Sequence, residues 1–255
     1  MLNLQHLNVS LGLEDTFRCS FYGDFMKNIK ALLKLTRFEL CLWICSSFVV
    51  FISYFFSGDN GLVYTVASFI GVTALIYLAK GNVLGQILSV VFSIFYGIFS
   101  FVFGYYGETI TYMFMTTPMA ILAVISWLKN PYKIGEVKVA FLTKKEIIIM
   151  VMWTAFVTIA FFFILRALNT QNLIISTISI TTSFFACYLT YKRSPFFALA
   201  YAANDIVLII LWVLASITDI KYLSIVACFT MFFFNDMYGF INWKRMEKRQ
   251  NKKPN

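Results

Sequence analysis

The sequence predicts an all-α polytopic membrane protein with eight transmembrane helices, arranged as one N-terminal helix followed by a 3+1+3 core of two parallel three-helix repeats. Three observations support this fold class. Hydrophobic residues make up 60% of the chain and charged residues 13%, whereas ordinary soluble domains carry about 25% charged residues. The chain also contains eight long apolar runs. Finally, all but Arg166 and Lys221 of the 21 lysines and arginines fall in alternate gaps between those runs.

Each apolar run is close to the ~20 residues that a helix needs to cross a hydrocarbon core about 30 Å thick. The predicted spans are 38–56, 62–79, 83–103, 109–127, 147–166, 173–190, 196–217 and 222–243.

The distribution of basic residues predicts the orientation of these spans. Eight crossings bring all the basic clusters to one side, and cationic residues stay on the cytoplasmic side during insertion. Both termini are therefore predicted to be cytoplasmic. The net charge of +9 indicates contact with the inner face of the lipid bilayer and no binding of nucleic acid. The basic clusters lie in 1–37, at Lys80, in 128–145, at Lys192 and Arg193, and in 244–255.

The N-terminal segment 1–37 lacks the pattern of a cleavable signal peptide, so the helix at 38–56 is expected to remain as an extra membrane anchor. Within this segment, apolar residues such as Phe25 and Ile29 alternate with Lys27 and Lys30 at helical spacing. This pattern predicts a basic amphipathic helix on the inner leaflet. A solvated linker with accidental periodicity is the alternative.

A weak internal repeat divides the remaining spans into two groups. The segment Ile125-Ser126-Trp127-Leu128-Lys129 ends the fourth span as Ile241-Asn242-Trp243-Lys244-Arg245 ends the eighth, 116 residues later. The two tryptophans are interpreted as anchors at the membrane interface. Repeats related in this way hold a substrate site at their shared interface near the membrane midplane. The predicted units are a first repeat at 62–127, a linking helix at 147–166, a second repeat at 173–243 and a basic tail at 244–255.

Two aspartates lie well within predicted spans, and ionisable residues inside a membrane are functional candidates because burying them is costly. Asp205 follows Asn204 in the seventh span, and Asp236 follows Asn235 in the eighth. Both pairs lie some eight residues from the inner boundary, or ~12 Å at 1.5 Å per residue. They are therefore predicted to share one level of a common pocket.

Further polar and aromatic residues lie near that level. Tyr238 and Asn242 extend a polar stripe from Asn235 along the eighth helix. Gln86 lies near the inner end of the third span, where a hydrogen bond between helices is an equal alternative to substrate contact. Tyr96 lies near the middle of that span. Trp212, in the seventh span, is interpreted either as a stacking platform or as lipid-facing bulk.

Three residues are predicted flexing points of the helices. Pro118 breaks the fourth span at mid-depth and frees a backbone carbonyl. Gly97 follows Tyr96 directly, and Gly239 follows Tyr238. Movement at these points would let the two repeats rock around the site between them.

Signatures of catalysis and energy coupling are absent from the sequence. His6 is the only histidine, so no histidine-based metal site or histidine-activated nucleophile is expected. No GxxxxGK[ST] motif is present, which argues against ATP-driven work by this chain alone. We therefore predict a protein that is not an enzyme and needs no metal or cofactor.

Three segments together resemble the PnuC family of bacterial vitamin transporters. They are Tyr106-Gly107-Glu108 at the opening of the fourth span, Asn204-Asp205 in the seventh, and the run from Asn235 to Arg245 that closes the eighth. The resemblance covers roughly residues 40–245. It implies a SWEET-like core with one extra N-terminal helix, in a bacterial inner membrane.

The resemblance also implies a cargo, nicotinamide riboside, taken up by facilitated diffusion and trapped inside by phosphorylation. This solute carries a pyridinium cation, an amide and ribose hydroxyls, which aromatic faces and Asn, Gln and Asp side chains can bind. A phosphorylated nucleotide should be rejected, because the predicted site holds acids and no buried cation. The candidate substrate contacts are Gln86, Tyr96, Asn204, Asp205, Trp212, Asn235, Asp236, Tyr238 and Asn242.

Two alternatives of different kinds stay open. Thiamine or riboflavin could be the cargo of the same fold. Alternatively, the chain could be a non-transporting membrane protein, such as an intramembrane enzyme or a binding subunit that works with an ATPase partner. The sequence is also compatible with a homo-oligomer.

Overall fold

The computed structural model describes residues 35–55, 61–102, 106–170 and 172–252. In these residues the chain is helical, as predicted, apart from one short hairpin of strands β1 (Pro131–Lys133) and β2 (Glu136–Val137). Most of the predicted surface helix before the first span lies outside the described residues. The helices are α1 (Arg37–Tyr54), α2 (Gly61–Ala79), α3 (Val83–Val102), α4 (Tyr106–Leu128), α5 (Lys144–Ala167), α6 (Leu173–Tyr191), α7 (Phe196–Thr218) and α8 (Leu223–Asn251).

Six of these helices, α1 and α4 to α8, are long and apolar enough to cross a membrane, while α2 and α3 contribute the shorter apolar stretches Thr65–Ala79 and Val83–Ile98. Helix α5 packs mainly against α6. Its remaining surface exposes large apolar side chains such as Trp153 and Phe156. An apolar exterior of this kind suits a helix in contact with lipid, because lipid chains are as apolar as the side chains.

The helices form two groups that pack against each other reciprocally. In the first group α3 lies between α2 and α4, and in the second α7 packs against both α6 and α8. Between the groups, α4 packs against α6 and α2 packs against α8. The last helix of each group therefore contacts the first helix of the other.

Matching hydrogen bonds join the two groups at the ends of these helices. The indole Nε1 of Trp127 donates to the carbonyl oxygen of Thr190 at 2.9 Å, and that of Trp243 donates to the carbonyl oxygen of Leu78 at 2.8 Å. The preceding residues repeat the pattern, since Ser126 donates to the carbonyl of Tyr191 and Asn242 to that of Ala79. The 116-residue offset seen in the sequence thus relates equivalent contacts in space.

The prediction that these two tryptophans anchor the chain at the membrane interface is wrong. Trp127 and Trp243 are both 0% exposed. Their ring centroids lie 5.3 Å apart, and the Phe197 ring lies 4.8 Å from that of Trp243. The pair fills the centre of the bundle at the basic end, the end at which Lys80, Lys129 and Lys244 lie.

Helix α1 is attached to the rest of the bundle through a buried acid at its first turn. Glu39 is 3% exposed and forms a capping box with Thr36. Its carboxylate also accepts a hydrogen bond from the Tyr238 hydroxyl at 3.0 Å and lies 3.4 Å from Lys80 Nζ. One side chain therefore connects α1 to the end of α2 and to α8.

The hairpin between α4 and α5 is held against the extension of α8 beyond the predicted last span. Glu136 accepts hydrogen bonds from Gln250 at 2.9 Å and from Arg249 at 2.5 Å. Burial alone would raise the pKa of the Glu136 carboxyl, but hydrogen bonds from Gln250, Arg249 and Lys133 lower it. The predicted basic tail is therefore helical as far as Asn251, and it fastens the loop between the two groups.

The contact between α2 and α3 leaves no room for a side chain at Gly85. A Cβ atom there would lie 2.4 Å from the backbone nitrogen of Leu78 and 2.8 Å from the carbonyl carbon of Tyr77. Since backbone atoms cannot move aside, we expect Gly85→Ala to lower the free energy of unfolding by about 1–3 kcal/mol.

The matched control is Gly239→Ala, where a Cβ would lie 3.5 Å from that of Ala198. Ordinary contact and the higher helix propensity of alanine should leave this variant as stable as the parent or slightly more so. Thermal unfolding in detergent measures both. Equal loss of stability in the two variants would contradict the packing described here.

Candidate functional site

Two adjoining cavities lie between the two helix groups. The larger has a volume of about 340 Å³ and reaches the end of the bundle opposite the basic end, where Leu168 and Asn172 line it. The smaller has a volume of about 110 Å³ and lies deeper. We call them the outer and the inner cavity. They share the wall residues Tyr112, Thr116, Ser183, Leu208 and Phe229.

The inner cavity collects four of the predicted site residues, namely Gln86, Asn204, Asp205 and Asp236. All four are at most 5% exposed. Gln86 Nε2 and Asp205 Oδ2 are buried and have no hydrogen-bond partner. A buried polar atom without a partner is unfavourable, so these two atoms are suited to bind polar groups of a ligand.

Two hydroxyl groups of α6 hold the amide of Asn204 in place. Thr182 Oγ1 donates to Asn204 Oδ1 at 2.7 Å, and Ser179 Oγ donates to the same atom at 3.3 Å. Both bonds use the amide oxygen, and the nitrogen carries the donor hydrogens. Sequence reasoning missed Ser179 and Thr182, because hydroxyls are common in membrane helices and carry no distinctive spacing.

The two buried aspartates meet across the interface of α7 and α8. The Asp205 and Asp236 carboxyl groups both line the inner cavity and are close enough to interact with each other. The prediction that they share one level of the molecule agrees with this contact. Neighbouring carboxylates repel each other unless a proton or a cationic group lies between them, so the pair favours ligands that carry donors.

The polar stripe of α8 faces away from the cavities. Asn235 donates to Ser46 Oγ at 2.9 Å, Tyr238 bonds Glu39, and Asn242 bonds the Ala79 carbonyl. Successive helical residues point about 100° apart, so Asp236 can face the cavity while Asn235 faces α1. The structure therefore does not bring Asn235, Tyr238 or Asn242 to the cavity as predicted.

Aromatic side chains line the outer cavity. Trp212 and Tyr96, the two predicted ring partners, both contribute to its wall. The Tyr96 ring lies 4.4 Å from that of Tyr112, and the Trp212 ring lies 5.4 Å from that of Tyr222. Trp212 is 7% exposed, and its Nε1 has no hydrogen-bond partner.

Two of the three predicted flexing points, Gly97 on α3 and Pro118 on α4, lie next to an irregular turn of α4. Residues Tyr112–Thr116 form a π-helical turn that ends just before Pro118. A Cβ atom at Gly97 would lie 2.8 Å from the Met113 side chain in the same turn. Such turns are frequent at functional sites. The third predicted flexing point, Gly239, lies in a regular part of α8 with ordinary packing distances. The flexing role of all three stays a prediction.

Metal binding has no support in the described part of the chain. Among those residues, no group of three or more His, Cys, Asp or Glu side chains is arranged to hold an ion. That the protein needs no metal or cofactor stays a prediction.

Apolar helices that cross a membrane, with a polar cavity between two helix groups, define a multi-span membrane transporter. The sequence model of the nicotinamide mononucleotide transporter family matches residues 61–245. The chain belongs to this family, and the predicted PnuC resemblance is confirmed.

Two relatives illustrate the similarity. The nicotinamide riboside transporter PnuC of Neisseria mucosa is 23% identical over 223 residues, which cover 84% of this chain and 83% of the relative. The crystal structure of the vitamin B3 transporter PnuC superposes with a TM-score of 0.72 at 21% identity, covering 86% of this chain and 95% of that one. Both relatives are transporters, in agreement with the prediction that the chain is not an enzyme.

Proposed function

We propose that this protein takes up nicotinamide riboside by facilitated diffusion across a bacterial inner membrane. The observation that carries the proposal is the pair of adjoining cavities between the helix groups. The outer cavity supplies aromatic faces, which attract a pyridinium cation. The inner cavity supplies Gln86, Asn204, Asp205 and Asp236, whose amide and carboxyl groups complement ribose hydroxyls. The similarity to the nicotinamide riboside transporter of Neisseria mucosa favours the same cargo.

We assign eight membrane spans to the chain. Helix α1 is the first span, and α2 to α8 form the seven spans of a 3+1+3 core. The reciprocal packing of α4 on α6 and of α2 on α8 supports two parallel repeats joined by α5. The basic end then faces the cytoplasm with both termini. The outer cavity faces the outside, and the buried Trp127 and Trp243 close the inner side.

Uptake then follows from alternate opening of the two ends. The substrate enters the outer cavity, and the two repeats rock until the tryptophan pair separates and the inner side opens. The π-helical turn before Pro118 and the close packing at Gly97 support a movement centred on α4. Phosphorylation by an intracellular kinase would trap the product, because no lysine or arginine among the described residues lines either cavity to bind a phosphate group.

The experiment is uptake of radiolabelled nicotinamide riboside into liposomes that contain the purified chain alone. We expect uptake that saturates, equilibrates without ATP or an ion gradient, and is competed by unlabelled riboside more strongly than by thiamine, riboflavin or nicotinamide mononucleotide.

Two outcomes would overturn the proposal. Equilibration of thiamine or riboflavin in place of the riboside would assign another cargo. Failure of a folded chain to transport any of these solutes would favour a binding subunit that needs a partner.

Light scattering of the same preparation determines whether the protein is a homo-oligomer.

A further inference from the structure

Glu108 is the only charged side chain among the described residues that line the outer cavity. Glu108 lies in the first turn of α4, just before the predicted fourth span at 109–127. It is not among the predicted site residues. The Tyr96 side chain forms a hydrogen bond with its carboxyl group. In the part of the chain that the structure describes, no lysine or arginine lines the cavity to neutralise it. An acid among membrane helices is costly unless a cation or hydrogen-bond donors accompany it.

The surroundings of Glu108 are suited to a flat ligand. Tyr96 and Tyr112 belong to the same cavity wall, with ring centroids 4.4 Å apart. Trp212 adds a third aromatic ring, and its buried Nε1 lacks a hydrogen-bond partner. An indole N–H that is nine-tenths buried in a cavity wall indicates a polar ligand atom that the protein itself does not supply.

We propose that Glu108, together with Tyr96, Tyr112 and Trp212, forms a subsite that selects a planar ring with a fixed positive charge. This inference rests on the proposed function and deepens it, because it assigns the charge selectivity of the transporter to one residue. A carboxylate and aromatic faces both attract a pyridinium cation. The same carboxylate repels an anionic analogue such as a nucleotide.

Asp205 and Asp236 are less suited to this role. Their carboxyl groups are in contact with each other, and the inner cavity around them has a third of the volume of the outer one. Tyr112 lies between the two acidic regions, since it lines both cavities and is within electrostatic range of Glu108 and Asp205. The ring of the ligand is thus assigned to the outer cavity and its hydroxyl groups to the inner one.

The test compares two ligands of nearly the same shape that differ in charge. Nicotinamide riboside carries the pyridinium cation, and its reduced dihydropyridine form is neutral. We expect Glu108→Gln to weaken binding of the cationic riboside by about tenfold or more and to change binding of the neutral riboside by less than about threefold. Glu108→Asp, which retains the charge, should retain the preference of the parent for the cation.

The control is Glu146→Gln, an acid-to-amide change at the basic end, outside both cavities. It should leave both affinities unchanged. If Glu108→Gln weakened binding of both ribosides equally, or of neither, the inference would be overturned. Uptake of nicotinamide riboside by the parent chain would still support the proposed function in that case. A parent that neither binds nor transports nicotinamide riboside would instead remove the proposed function.

Discussion

Trp243→Ala is expected to lower the free energy of unfolding by about 3–5 kcal/mol, the range for loss of a large aromatic side chain from a core. The Trp243 ring is fully buried against Trp127 and Phe197. Its indole nitrogen also donates to the carbonyl of Leu78, which links α8 to α2. Thermal unfolding of the purified protein in detergent, followed by intrinsic fluorescence and by circular dichroism, measures the loss.

Trp153→Ala provides the matched control, because Trp153 is 54% exposed on α5. Its removal should change stability far less. Trp127→Ala should resemble Trp243→Ala, since Trp127 makes the equivalent bond to Thr190. A small effect of Trp243→Ala, or a large one of Trp153→Ala, would mean that the tryptophan pair does not join the two groups.

The second large effect is expected on transport. Asp236→Asn should lower uptake of nicotinamide riboside by at least about tenfold, equivalent to about 1.4 kcal/mol of lost interaction. The substitution replaces a carboxyl group in the inner cavity with an amide of nearly the same volume. The new amide can still donate to Asp205, so the fold should be retained. Initial uptake rates in liposomes at equal protein content measure the change.

Asp219→Asn makes the same chemical change beyond the end of α7, outside the lining of both cavities. It should transport as the parent does. If Asp236→Asn kept full uptake, or if both variants lost it equally, the inner cavity could not be assigned as part of the substrate path.

The helices could be predicted from the sequence because long apolar runs of about 20 residues favour helices that cross a membrane. The offset between Trp127 and Trp243 was also visible, and in the structure it relates equivalent hydrogen bonds. The contact of Asp205 with Asp236 could be anticipated because helix direction and rise per residue fix the depth of each side chain.

The rotation of each helix could not be predicted. Where nearly every face is apolar, hydropathy does not distinguish the side that faces lipid from the side that faces a neighbouring helix. The sequence therefore predicts that Asn235 and Tyr238 line the cavity, whereas in the structure both face α1. The same ambiguity concealed the burial of Trp127 and Trp243, since a tryptophan next to lysine is typical of a membrane interface.

Contacts that depend on tertiary packing were missed for a different reason. The hairpin around Glu136 is too short to show a periodic pattern, and its strands are fastened by Gln250, more than 110 residues away. Glu108 and Glu39 each lie at the start of a helix, where an acid is ordinarily explained by the helix dipole. In the folded structure Glu108 lines the outer cavity, and Glu39 contacts Lys80 and Tyr238.

The central claim is that substrate binds between the two helix groups at the level of Asn204. Its most direct test is the affinity of purified protein for nicotinamide riboside, measured calorimetrically for Asn204→Ala and Asn235→Ala. Both change a buried amide, but only Asn204 lines a cavity. We predict at least about tenfold weaker binding for Asn204→Ala and unchanged binding for a folded Asn235→Ala. Weaker binding in Asn235→Ala alone, or equal affinity in both variants, would contradict the account.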